Sequence, residues 1–205
     1  MIIDPVLLSE SEAYKYIIGV VLPRPIAWVS TMDNEGRLNL APFSYFTGVC
    51  SKPLTLLFCV GLHPNGEKKD TRLNIEQMGE FVVNMTNEET AVAMNRSATI
   101  LPRGQSEFEW AGVTPLPSQK VRVPRVAESP ISFECKLQQM VVVSEEVGGG
   151  AAIFGEVVCI HVRDDLWENG RINLERYKPI GRLAGAGYTR VNDLFDMQRL
   201  PPPVQ

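Results

Sequence analysis

The stretch 39–46, NLAPFSYF, places an amide (Asn39), a small residue (Ala41), a proline (Pro42) and a hydroxyl (Ser44) within one strand-like segment. Pro42 removes a ladder donor, so the strand must end, bulge or lie at an edge there. A bulge would turn the backbone groups around Leu40, Ala41 and Phe43 toward something other than the next strand. Ala41 would let a flat ring approach the chain, while Asn39 and Ser44 donate and accept. That inventory suits a planar heterocycle rimmed by carbonyls and ring nitrogens. An edge strand holding a proline accounts for the same residues without a ligand. The second stretch is 68–71, KKDT, which leads into a helical segment. Asp70 or Thr71 can cap that helix, and its first N–H groups form a small positive site. Lys69 and the Thr71 hydroxyl would complete a pocket for a phosphate monoester. A capped surface helix with solvated lysines reads equally from the same residues.

Other candidates carry less. Gly148 to Gly150 lie between two strands and read as a hairpin turn rather than a phosphate cradle. His161 shares a strand face with Cys159 and Arg163, opposite Val158, Ile160 and Val162, and reads as a hydrogen-bonded structural histidine or a ligand-facing imidazole. In 182–188, RLAGAGY, the small residues permit close approach and Tyr188 can stack or hydrogen-bond. The four cysteines are widely spaced and there are two histidines, which argues against a metal site. No nucleophile elbow, HExxH or Walker loop occurs, so hydrolase and kinase chemistry lacks residues, and no side chain is assigned a catalytic role.

The elements that must position these residues are mostly strands. Residues 25–31 read as a strand, 33–36 as a turn, and Leu38 begins the return strand. Residues 54–62 and 81–85 are further strands, and 131–145 with 152–163 form the strongest hairpin. In its first arm Ile131, Phe133, Cys135 and Leu137 alternate with Ser132, Glu134 and Lys136, which predicts one buried and one wet face. Helices are predicted over 71–78, stopped by Gly79, over 86–98 from the capping-box spacing of Thr86 and Glu89, and over 173–177. Residues 101–130 hold five prolines and read as a long irregular excursion; the prolines at 201–203 mark a non-helical tail within 191–205. One domain over 1–205 is expected, an antiparallel β-barrel with peripheral helices. A net charge of −4 and a pI near 5.3 argue against nucleic-acid and anionic-membrane partners. With no membrane-length apolar run and no signal-like start, a cytoplasmic location is expected.

In order, 24–31 (RPIAWVST), Asp33 with Gly36, 39–46, 51–53 (SKP), 69–71 (KDT), 80–84 (EFVVN), 128–130 (ESP), 155–158 (GEVV) and 182–188 resemble the flavin reductase-like family with the FMN-binding split-barrel fold. The resemblance spans roughly residues 10 to 190. It implies a mainly β, antiparallel Greek-key split β-barrel with peripheral α-helices, dimerising with one FMN per subunit. It places FMN contacts at Ser30, Thr31, Asn39, Leu40, Ala41, Pro42, Phe43, Ser44, Lys69, Asp70 and Thr71, and nicotinamide contacts at His161 and Tyr188. It implies an NAD(P)H-dependent flavin reductase passing hydride from NADH or NADPH to flavin for an oxygenase or other acceptor. The alternatives are a flavoredoxin-like electron-transfer protein with tightly bound FMN and a non-catalytic flavin-binding module. Residues 101–130 would wrap a partner subunit.

Overall fold

The computed structural model describes residues 1–102 and 104–201, so the last two prolines of the 201–203 run lie outside the described residues. In chain order the strands are β1 (Ala27–Met32), β2 (Leu38–Phe43), β3 (Phe46–Ser51), β4 (Leu54–Gly61), β5 (Glu80–Met85), β6 (Pro115–Leu116), β7 (Arg125–Val126), β8 (Ile131–Ser144) and β9 (Gly150–Val162), followed by shorter pairs. The helices are α1 (Glu10–Val20), α2 (Asp70–Met78), α3 (Ala91–Arg96), α4 (Glu107–Ala111) and α5 (Leu174–Tyr177). Seven strands form one antiparallel sheet in the order β2-β1-β5-β8-β9-β4-β3. Its two edge strands, β2 and β3, are joined by Ser44 and Tyr45 alone, so the sheet must curl until its edges meet. The Tyr45 carbonyl accepts the Cys59 N–H at 2.9 Å, which carries the β3–β4 pairing into that two-residue link. This is the expected mainly β split barrel.

The barrel interior follows from period-two patterning. Ala27, Val29, Phe43, Phe58, Val60, Phe81, Val83, Cys135 and Ile153 point inward, and Ile75 of α2 plugs one end. Phe58 sits between Phe43 and Phe81, with ring centroids at 5.3 and 5.4 Å. A Cβ at Gly155 would run into the Phe81 ring, which is why β9 carries glycine there.

The expected turn at 33–36 forms, with the Asp33 carboxylate accepting the N–H groups of Glu35 and Arg37, both at 2.9 Å. Helix α2 stops at Gly79, which adopts φ 65°. The helix expected over 173–177 forms as α5, with Asn173 as its N-cap. Four expectations need correction. Pro42 causes no bulge: β1 and β2 pair residue for residue from Ala27↔Phe43 to Met32↔Leu38, and Pro42 is tolerated because β2 is an edge. Helix α3 is shorter than expected, and its start is organised by Asn87 and Thr90, which exchange N–H···side-chain bonds at 3.0 and 3.1 Å, rather than by Thr86. The "wet" face of β8 is dry over its first half: Ser132 and Glu134 are 1% and 0% exposed, while Lys136 is exposed as expected. A bulge between Glu134 and Cys135 also places Val158 with Val82, Val121 and Val123, not with Ile160 and Val162.

Residues 104–130 cause the drying. They fold back over their own barrel, where Phe108, Ala111, Val113 and Val126 pack on Trp28, Leu40 and Met94. Val121 and Val123 cover Val82 in the same way. A row of polar groups trapped beneath them is satisfied internally: the Trp28 indole donates to Ser97 Oγ at 2.8 Å, and Asn84 bridges the Trp28 carbonyl, Ser132 and the Val126 N–H.

Candidate functional site

The β1–β2 hairpin and the start of α2 meet in one hydrogen-bonded junction. Asn39 Nδ2 donates to Thr31 Oγ1 at 3.1 Å and to Thr71 Oγ1 at 3.0 Å. Asn74 Nδ2 donates to Thr31 Oγ1 at 3.1 Å, so a helix residue one turn after Thr71 completes the network. Both threonines are buried and act as acceptors here, which leaves their own hydroxyl protons to donate. The two sequence stretches singled out for a ring and a phosphate are thus one site, and Asn74 is the member that their motifs do not show.

The start of α2 differs from expectation in a way that matters. Its N-cap residue is Lys69, and no side chain caps it, neither Asp70 nor Thr71. The N–H groups of Arg72 and Leu73 return to the Lys69 carbonyl at 2.9 and 3.1 Å, leaving those of Asp70 and Thr71 for an outside acceptor. Lys69 is partly buried, and burial alone pulls its ammonium below the usual lysine range. Among the described residues no carboxylate pairs with it. A partly buried cation without a counter-ion, beside uncapped N–H groups, is an arrangement that can take an anion. A cavity of about 380 Å³ adjoins this point, bordered by Asn39, Asp70, Asn74 and Glu107.

The remaining candidates divide. Ala41, Pro42 and Ser44 are partly exposed along the β2 edge. Ser30 is fully buried on the other side of β1, its hydroxyl donating to the Pro124 carbonyl at 2.6 Å. Leu40 and Phe43 turn their side chains into packed cores. The Leu40 N–H, which points out from the β2 edge, is taken by Glu107 Oε2 at 3.0 Å. Burial, with Asp70 nearby, holds the Glu107 carboxyl above the usual carboxylate range. Glu107 is a contributor that no local pattern around β2 could reveal, because it arrives from the excursion.

Arg24, at the head of the 24–44 segment, is a staple. Its guanidinium donates to the Ile18, Val21 and Leu183 carbonyls, each at 3.0 Å, and to Ser44 Oγ at 3.3 Å. Tyr188 is also engaged: the Arg182 guanidinium lies 4.5 Å from its ring centroid, and its hydroxyl donates to Asn95 at 3.0 Å. His161 Nε2 lies 2.5 Å from Glu134 Oε1, and the imidazole also borders a cavity of about 740 Å³. Its row of the sheet runs through Ser132, Asn84 and Trp28 to Pro42, four strand spacings or about 19 Å along the barrel wall.

Residues 20–178 match the family described as flavin reductase like domain. A protein of Halalkalibacterium halodurans is 41% identical over 201 residues, covering 97% of this chain and 96% of its own. The chain belongs to the flavin reductase-like family. Two solved structures share its fold over nearly the whole length. Nitrilotriacetate monooxygenase component B from Bacillus cereus superposes with a TM-score of 0.92 at 38% identity, covering 96% of this chain and 98% of that one. The 2-nitrobenzoate 2-nitroreductase NbaA of Pseudomonas fluorescens does so with 0.88 at 32%, covering 100% and 98%. The flavin reductase-like family is one of oxidoreductases that work with a flavin. Among the described residues no helix is long and apolar enough to cross a membrane.

Proposed function

We propose that the protein is an FMN-binding flavin reductase that takes hydride from NADH or NADPH and delivers reduced flavin to an oxygenase or another acceptor. The observation that carries this reading is Lys69, desolvated and without a counter-ion beside the uncapped start of α2. A terminal phosphate monoester of FMN fits there: Lys69 neutralises it, the Asp70 and Thr71 N–H groups and the Thr71 hydroxyl bond to it. Asn39, with Ala41, Pro42 and Ser44 along the β2 edge, would border the ring, Ala41 leaving room for a flat face. When bound, the flavin supplies the hydride chemistry, while the chain orients it and excludes water. No side-chain acid or base is needed, in keeping with the absence of a catalytic motif. Anaerobic mixing of the FMN-loaded protein with NADH and with NADPH tests the reading. Rapid bleaching of the visible flavin band by at least one of them is the expected result. If neither bleaches it while a reduced electron-carrier protein does, the chain is an electron-transfer protein and not a reductase.

The surface supports a homodimer as part of this proposal. Tyr14, Ile17, Val20 and Val21 at α1, Val49 of β3 and Val141 to Val143 of β8 are all exposed, Val20 and Val143 to 78% and 77%. A lone chain seldom leaves so much large apolar surface in water. Light scattering on the eluting protein is expected to give twice the chain mass, and a monomer mass at micromolar concentration would remove this part of the proposal.

A further inference from the structure

Far from the flavin junction, on the covered outer face of the barrel, β8 and β9 bring three metal-ligating side chains together. Glu134 pairs across from Cys159, and His161 follows two residues on along β9. Their ligand atoms all lie within 4.8 Å of one another, the only such group among the described residues. The widely spaced cysteines hide it in the sequence, because Glu134 comes from another strand and its partner pair is a Cys-x-His on one strand face.

We propose that Glu134, Cys159 and His161 form a binding site for a divalent transition-metal ion of the Zn²⁺ type. Cys159 Sγ and His161 Nε2 are 3.7 Å apart, close to the roughly 3.5 Å that Zn–S and Zn–N bonds of about 2.3 and 2.0–2.1 Å subtend at a tetrahedral ion. The carboxylate is oriented in advance. Glu134 Oε2 accepts the N–H groups of Lys120 and Val121 at 2.6 and 3.2 Å, and Oε1 accepts that of Gln119 at 2.7 Å. Of its lone pairs only the one facing His161 remains, and there the ion replaces the proton shared with Nε2. The ring proton moves to Nδ1 and the Cys159 thiol releases its proton to solvent. The Nε2–Oε1 separation must open from 2.5 Å to roughly 3.4 Å, which the 21% exposed imidazole can allow by swinging outward. With three protein ligands the fourth position is left for water, on the side of the cavity of about 740 Å³ that His161 borders.

Titration of the chelator-treated, full-length protein with Co²⁺ tests the site. One equivalent is expected to bind, with a thiolate-to-cobalt charge-transfer band that Zn²⁺ abolishes by displacement. Cys159→Ser should remove the band, and His161→Gln should weaken Co²⁺ binding by more than about tenfold. Cys50→Ser, at the exposed thiol, should leave both unchanged. Absence of a band in the wild type, or a band that survives Cys159→Ser, overturns the proposal. So does loss of the band in Cys50→Ser. Because Cys159→Ser replaces sulfur by oxygen in place, a Zn²⁺-induced rise in melting temperature present in the wild type and missing in the variant gives a second readout. An equal rise in both refutes the assignment.

Discussion

Replacing Lys69 with alanine is expected to weaken FMN binding by about 10- to 100-fold, the loss of a charged hydrogen bond worth about 1.5–3 kcal/mol. Riboflavin, which lacks the phosphate, should bind the wild type and the variant alike. That contrast separates a phosphate site from a general loss of structure, since a damaged fold would weaken both ligands. The pH dependence carries the same signature. Burial holds the Lys69 ammonium below its ordinary range in the free protein, and a bound phosphate favours the charged form. Binding on the alkaline side therefore takes up a proton, and affinity must fall as pH rises through the depressed value of the free protein. On the acid side it falls again as the phosphate gains its second proton near about pH 6. In Lys69→Ala the alkaline fall should vanish while the acid one stays, because the Asp70 and Thr71 N–H groups still prefer the dianion. Isothermal titration of both ligands across pH checks each point; equal FMN affinity for the two proteins would remove the phosphate site.

What can be read from this sequence is what neighbouring residues decide. Pro42 marks an edge, Gly79 stops a helix, and Asp33 with Gly36 turns a hairpin, and each does so through its own backbone chemistry. The hairpin-linked strand patterns with few helices between them are enough to imply a sheet closing on itself, although the strand at 46–51 is not among those the patterns mark. The hairpin–helix junction is legible for a related reason: Thr31 and Asn39 face each other in one hairpin, and Thr71 lies in the first turn of the helix that caps that end of the barrel. What stays hidden is whatever arrives from far along the chain. Period-two alternation marks Ser132 and Glu134 as wet, and it cannot register that 114–130 will lie over them. The same excursion delivers Glu107 to the Leu40 N–H, taking up a donor that the β2 edge would otherwise offer. Local patterning also treats Arg24 and Tyr188 as free, whereas the fold engages them in fixing α1 and the 180–190 segment to the barrel.

Glu134→Leu should destabilise the protein by about 3–5 kcal/mol, since several donors each lose a hydrogen bond to a charged group worth about 1.5–3 kcal/mol. The side chain is fully buried and accepts three backbone N–H groups and the His161 imidazole. Leucine fills the space and answers none of those donors, and the turn at 119–121 loses its anchor to the barrel. The loss should depend on pH with a defined sign. Burial opposes the charge on Glu134, but the Gln119 and Lys120 N–H groups and His161 outweigh it, and the carboxyl titrates below its ordinary 4.5 in the folded protein. A depressed carboxylate contributes its stability above the unfolded value and loses it as pH falls through the folded one. Wild type and variant should therefore differ most near neutrality and converge as pH drops below 4.5. Denaturant unfolding in the presence of chelator, followed from pH 7 downward, measures the difference without any contribution from bound metal. A gap that stays constant with pH would mean that the cost comes from leucine's shape and not from the lost carboxylate. The two sites also separate cleanly under this change, since Glu134 belongs to the far wall of the barrel: FMN affinity of the folded variant should match the wild type.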